Sequence, residues 1–240
     1  MLKPDFRHRS TEPEWMDDKG VTLETLDECL SQLEKINIGT LAYRPTLIWL
    51  DQALKPFTPG RPITIFDIGC GGGDMLRKIA NWAKKKGVAV DLVGIDINPL
   101  AKRVAEKRTP KTVSIRYETA DIYSLSPERR ADFIISSLFT HHLDDPELHR
   151  FIGWMEDHAE QGWLSNDLHR HPIAYYGIKY ILASIPFTNP IVRNDAPVSV
   201  ARAFTKNEWR NRLDDAGIPA RQTAITWHLP FRYSVARWKV

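Results

Sequence analysis

With 240 residues, 42% hydrophobic and 26% charged, the chain has the make-up of a globular protein, sized for one α/β domain with a small cap. Its 33 basic and 30 acidic residues leave a net charge of +3, too balanced to ask for a nucleic-acid partner. Two cysteines, no apolar run near the ~18 residues of a membrane span and a polar first stretch argue against a disulfide framework, an anchor and a signal peptide, so a cytoplasmic protein is expected.

The first 20 residues hold Pro4, Pro13 and Gly20 and read as an irregular arm. Over 22–35, Leu23, Leu26, Leu30 and Leu33 form one apolar stripe, with Thr22 and Thr25 as candidate caps. Over 44–54, Leu47, Ile48, Leu50 and Leu54 supply the apolar positions of a second helix. Two such helices cannot bury their faces alone, so residues 1–60 are expected to pack as a helical cap, with Tyr43 and Arg44 near the mouth of a cleft. Pro56, Pro59 and Pro62 mark the passage into the main domain, 61–240.

That domain opens on ITIFDIGCGGGD, residues 63–74. Ile63, Ile65, Phe66 and Ile68 make a short, fully buried strand; glycines follow at once, and Met75, Leu76, Ile79, Ala80 and Trp82 start a helix over 75–86. Strand, glycine turn and helix form the first unit of a nucleotide-binding sheet, where a Cβ would block a ligand lying on the backbone. The spacing departs from G-x-G-x-x-G, because Asp74 takes the place of its last glycine and would face a pyrophosphate. Asp67, at the carboxyl end of the strand, suits a cationic ligand instead. The stretch IFDIGCGGGDM resembles the first motif, hhDhGCGxGxh (h, hydrophobic), of the class I S-adenosylmethionine-dependent methyltransferases.

The next strand, 88–95, ends at Asp96, about 20 residues beyond the glycines, where an acid can accept from both hydroxyls of a ribose. Asp96-Ile97-Asn98-Pro99 resembles the GxDxxP stretch of the same family, and a helix over 99–108 follows. After a third strand, 113–118, Asp121 and Ile122 match the place where the family binds adenine. The fourth strand, 132–138, is apolar and β-branched, and Phe139-Thr140-His141-His142-Leu143-Asp144-Asp145 after it resembles the hh(H/E)Hh(x)D stretch of small-molecule methyltransferases rather than the N-P-P-(Y/F) of enzymes acting on nucleobase amines.

A helix over 146–159 and a strand over 161–168 lead to His169, Arg170 and His171. Residues 173–185 are apolar almost all round, as core or as a lid whose Tyr175, Tyr176 and Tyr180 line a pocket; with 186–200, read as a loop from Pro186, Pro190 and Pro197, they make a helical insertion at about 172–200. Thr205 and Glu208 form a capping box for a helix over 205–216, and 221–227 with 231–238 read as a closing antiparallel pair at the sheet edge.

The resemblance implies a Rossmann-like, seven-stranded, mostly parallel sheet with helices on both faces. It implies cofactor contacts from Asp67, Gly69, Cys70, Gly71, Asp96, Ile97, Asp121, Ile122 and Ser137, with S-adenosylmethionine as cofactor and S-adenosylhomocysteine as product. The expected reaction is O-methylation of an apolar or aromatic small molecule such as a polyketide or phenol, with C-methylation of a quinone-like ring, or cofactor binding without catalysis, as alternatives. His141 is the expected general base and His142 the runner-up, with Asp167 or His169 as partner. Tyr175, Tyr176 and His169 are the expected substrate contacts, no metal is expected, and a homodimer is compatible with the sequence.

Overall fold

The computed structural model describes residues 5–55, 57, 60–126 and 128–239, so Pro4, Pro56 and Pro59 lie outside the described residues. Seven strands, β1 (Ile63–Ile68), β2 (Val90–Asp96), β3 (Arg116–Thr119), β4 (Ala131–Ser137), β5 (Ala159–Leu168), β6 (Thr223–His228) and β7 (Arg232–Trp238), form one sheet in the order β3-β2-β1-β4-β5-β7-β6. The first five run parallel and β7 is antiparallel to both β5 and β6. The direction of strand addition reverses between β1 and β4, which opens a crevice at their carboxyl ends.

Each central strand is buried on both faces because its apolar residues alternate between two cores. Ile65, Leu92, Phe133 and Leu164 pack with Trp49, Leu50, Met75 and Leu76 on one side. Phe66, Val93, Ile134 and Trp163 pack with Phe151, Ile152, Trp209 and Leu213 on the other. The first core is covered by α2 (Arg44–Ala53) and α3 (Asp74–Lys86), with Ala105 of α4 (Pro99–Arg108). The second is covered by α5 (Asp145–His158) and α8 (Lys206–Asp215), and α8 carries the expected Thr205–Glu208 capping box. Near the crevice, α1 (Leu23–Gly39) lies against α4 and Thr22 caps it by accepting from the Thr25 N–H.

The expected loop over 186–200 is corrected. After α6 (Pro172–Ser184), residues Pro190–Arg202 form α7, which packs along α6. Asn189 caps α7 by accepting from the Ile191 N–H, and Pro190 stands in its first turn, where the missing N–H costs nothing. Pro197 lies buried inside α7, so tertiary packing overrides the rule that made this stretch a loop. The irregular arm includes a short 3-10 turn, Trp15–Asp17, tied down where Asp195 of α7 accepts from the N–H groups of Trp15 and Met16 at 2.9 and 2.8 Å.

Candidate active site

The glycine turn after β1 is shaped by backbone angles that L side chains avoid. Gly69 has φ +69°, and a Cβ there would come within 2.5 Å of the Phe139 ring. The turn is pinned to β2, for Asp96 accepts from the Gly71 N–H at 2.9 Å and from the Asn98 N–H at 2.9 Å. Asp67 is 2% exposed, and its Oδ1 has no hydrogen-bond partner. Burial, reinforced by the neighbouring Asp74 and Asp96 carboxylates, pushes its carboxyl well above the usual carboxylate range. Such a group accepts a donor or a cation from a ligand with net gain. Asp74 turns away from the turn and accepts from Tyr43 Oη at 2.6 Å and Asn37 Nδ2 at 3.3 Å.

These residues border a cleft of about 620 Å³. All the expected cofactor contacts line it: Asp67, Gly69, Cys70, Gly71, Asp96, Ile97, Asp121, Ile122 and Ser137. Asp121 and Ile122 are held there by a tight turn in which the Asp121 carboxylate accepts from the Tyr123 N–H at 3.0 Å. The opposite wall is largely apolar: Leu26, Leu30 and Leu33 from α1, Met16 from the arm, and Leu138, Phe139 and Leu143 after β4. Leu138 has φ 55°, a non-glycine residue held in the left-handed region at the point where β4 meets the cleft. Tyr43 lines the cleft as expected, while Arg44 does not.

The two adjacent histidines part company. His142 lines the cleft, and its Nδ1 lies 3.0 Å from Asp17 Oδ2 in the arm. His141 is 2% exposed and lies outside the cleft lining. Its Nδ1 meets Asp167 Oδ1 at 2.8 Å and its Nε2 lies 3.5 Å from Glu14 Oε1. Burial opposes charge on the His141 ring, but the Asp167 and Glu14 carboxylates outweigh it and lift the ring to about 10. Burial likewise opposes charge on Glu14, and the two histidines outweigh it and bring Glu14 down to about 2. His141 is thus clamped between two carboxylates, and the structure does not bring the expected general base to the cleft.

The expected substrate contacts are also corrected. His169 packs on Tyr233 at 4.6 Å between ring centroids, and burial lowers it to about 4. Tyr175 and Tyr176 pack on Phe6 at 5.4 and 6.2 Å. None of the three lines the cleft, because α6 turns outward to pair with α7 and leaves Tyr180 and Ile181 facing solvent.

Sequence reasoning missed Glu14, which meets the two histidines from a stretch without periodicity, and it missed Asp17, Asn166 and Arg232, which line the cleft. An arginine at the head of the largely buried β7 was the one visible signal. Glu14, His141 and His142 bring ligand atoms within 4.8 Å of one another, the donor set of a divalent cation. Asp167 and Glu14 face the two ring nitrogens of His141, so the cluster also forms a carboxylate–histidine network.

An open α/β sheet with a glycine turn at its switch point, one acid buried behind that turn and two more after the neighbouring strands is the arrangement of the class I methyltransferase fold. Residues 65–162 match the family model described as methyltransferase domain. Among solved structures, the plantazolicin methyltransferase BpumL in complex with S-adenosylhomocysteine (SAH) superposes with a TM-score of 0.68 at 16% identity, over 94% of this chain and 93% of that one. Magnesium protoporphyrin IX methyltransferase from Synechocystis PCC 6803, also with bound SAH, gives 0.57 at 16% identity, over 93% of this chain and 90% of that one. The methyltransferase domain of the citrinin polyketide synthase gives 0.60 at 14% identity, over 82% of this chain and 52% of that one. At these identities the likeness is one of fold. No curated protein matches the sequence, and no described helix is long and apolar enough to cross a membrane.

Proposed function

We propose that the chain transfers the methyl group of S-adenosylmethionine to a hydroxyl of an apolar or aromatic small molecule. The observation that carries this reading is a single cleft in which the unpartnered Asp67, the Asp96 carboxylate and the Asp121–Ile122 turn line one wall while α1 and the segment after β4 line the other with leucines and a phenylalanine. When bound, the cofactor supplies an electrophilic methyl group. The residues of the chain bind and orient: Asp96 accepts from ribose hydroxyls, the turn at Asp121 receives the adenine, and Asp67 balances positive charge at the methionine end. His142 takes the proton of the attacking hydroxyl. Its Nδ1 lies 3.0 Å from Asp17 Oδ2 and its Nε2 3.8 Å from Glu14 Oε2, and unlike His141 it lines the cleft. The cofactor would supply the methyl group to the hydroxyl oxygen, and His142 would hold the proton that the hydroxyl gives up.

BpumL, named for plantazolicin and seen with a pentazolic desmethylPZN analog, and the Synechocystis enzyme named for magnesium protoporphyrin IX support an acceptor of small-molecule size. The test is calorimetry with SAH together with transfer of labelled methyl from S-adenosylmethionine to a panel of phenols and hydroxylated aromatic ketones. Micromolar SAH binding with label recovered as an aryl methyl ether is expected. Binding without transfer to any hydroxylated acceptor would overturn O-methylation, and tight NADH binding without SAH binding would overturn the cofactor.

A further inference from the structure

Arg232 heads β7, opposite Leu168 of β5 and His228 of β6, at the edge of the sheet that carries the cleft. It is 3% exposed and lines the cleft. Among the described residues its one hydrogen bond is a long one, Nη2 to Asn37 Oδ1 at 3.4 Å, and both Nε and Nη1 are without a partner, with Asp167 and Asp74 acting on its charge only from beyond contact. The other two deeply buried arginines each meet a carboxylate: Arg170 donates to Glu208 at 2.6 Å and Arg237 to Glu156 at 2.9 Å. Arg232 has no carboxylate within ion-pair distance among the described residues. A dry guanidinium without a counter-ion is costly, and a ligand anion that supplies one recovers that cost on binding.

We propose that Arg232 receives the carboxylate of a ligand in the cleft, through a forked pair of hydrogen bonds from Nε and Nη1. The inference rests on the methyltransferase reading only for the identity of that ligand. Two unpartnered acceptors share the cleft with the guanidinium, Asp67 Oδ1 and Asn166 Oδ1. Asn166 is held in place because its Nδ2 donates to the Ala42 carbonyl at 2.7 Å and to Thr46 Oγ1 at 3.1 Å. Unmet donors beside unmet acceptors match a carboxylate next to an ammonium. That is the amino-acid end of S-adenosylmethionine, and it is also what a carboxylate-bearing acceptor offers to Arg232 alone. Burial lowers the guanidinium to about 10, so it remains a cation throughout the neutral range.

The experiment has two arms. In the first, calorimetry compares SAH with its decarboxylated analogue on the full chain. The wild type is expected to prefer SAH by on the order of 10²-fold, the worth of a bidentate charged pair. Arg232→Met should bind both alike, and Arg232→Lys, which keeps charge but lacks the fork, should fall between. In the second arm, SAH-saturated protein is melted with 1-naphthoate or with 1-naphthamide. A shift by naphthoate alone, lost in Arg232→Met while SAH preference is kept, assigns the carboxylate to the acceptor. The wild-type comparisons and Arg232→Lys decide the matter if Arg232→Met does not fold. If the wild type binds SAH and its decarboxylated analogue equally and does not respond to naphthoate, or if both responses survive in the variants, the proposal is wrong. If the wild type binds no SAH at all, the methyltransferase reading fails, and naphthoate binding to the free protein judges Arg232 by itself.

Discussion

The two halves of the cleft are built by different means. On the β1–β2–β3 side each polar group is positioned by its own short stretch of backbone: glycines at positive φ, an acid at a strand end, a turn closed two residues on. On the far side, after β4, His141 and His142 are neighbours in sequence, yet their states are set by residues more than a hundred positions upstream, Glu14 and Asp17, and by Asp167 on β5. Local geometry survives in a motif. A charge state imposed by distant partners does not, and two identical side chains side by side can end as a buried ion and a solvent-facing base.

The comparison breaks most severely at Asp167. Its carboxylate accepts from Thr140 Oγ1, the His141 N–H, His141 Nδ1 and the Leu168 N–H at 2.6–3.0 Å. Asp167→Ala strands these donors beside an unbalanced imidazolium and is expected to cost about 3–5 kcal/mol of stability, read as a lower urea midpoint. On the local side the largest effect is at Asp96. Asp96→Ala removes the ribose acceptor and the anchor of the Gly71 N–H, and SAH affinity should fall by about 2–4 kcal/mol by calorimetry.

The histidines can then be separated directly. His142→Gln should lower kcat about 10²-fold and leave SAH affinity intact. His141→Gln should keep most of kcat while lowering the melting temperature. A folded His141→Gln enzyme that loses kcat would return the base to His141.

The smallest effect is a pH dependence. The folded His141 sits at about 10 against an ordinary 6.5, so its stabilisation is complete below the ordinary value and is lost as pH climbs toward 10. Glu14 sits at about 2 against 4.5, so its share is present above the ordinary value and is lost as pH falls through 2. The stability of the wild type relative to His141→Gln, measured by urea titration, should be greatest between pH 4.5 and 6.5 and shrink on both sides.

Much of the fold was legible because alternating burial on two faces writes itself into strands such as ITIFDI and DFIISS, and because Thr205 and Glu208 announce a helix start. The acids that line the cofactor wall were legible for the same local reason. α7 was not, since Pro190 and Pro197 speak for a break in any reading confined to neighbours. Tyr175 and Tyr176 were expected at the cleft because an all-apolar helix reveals that it must be covered but not by what, and here α7 and Phe6 do the covering. Arg232 and Glu14 lay hidden for the opposite reason, as single charges in segments that gave them no context.

The arm that carries Glu14 and Asp17 is stitched to the turn after β4 and to α7: Arg9 donates to the Leu143 carbonyl at 2.7 Å, Ser10 N–H to Ala201 O at 3.0 Å, and Glu14 accepts from Ser199 Oγ at 3.0 Å. Met16 and Asp17 at its end border the cleft. The acceptor wall is thus complete only in molecules whose first residues are docked, and apparent acceptor affinity scales with the docked fraction. An arm docked nine times in ten leaves the dissociation constant nearly unchanged, whereas one docked one time in ten weakens it about tenfold. The concentration at which the enzyme responds to its acceptor can therefore be set by anything that frees or fastens the start of the chain, without altering a residue on the sheet.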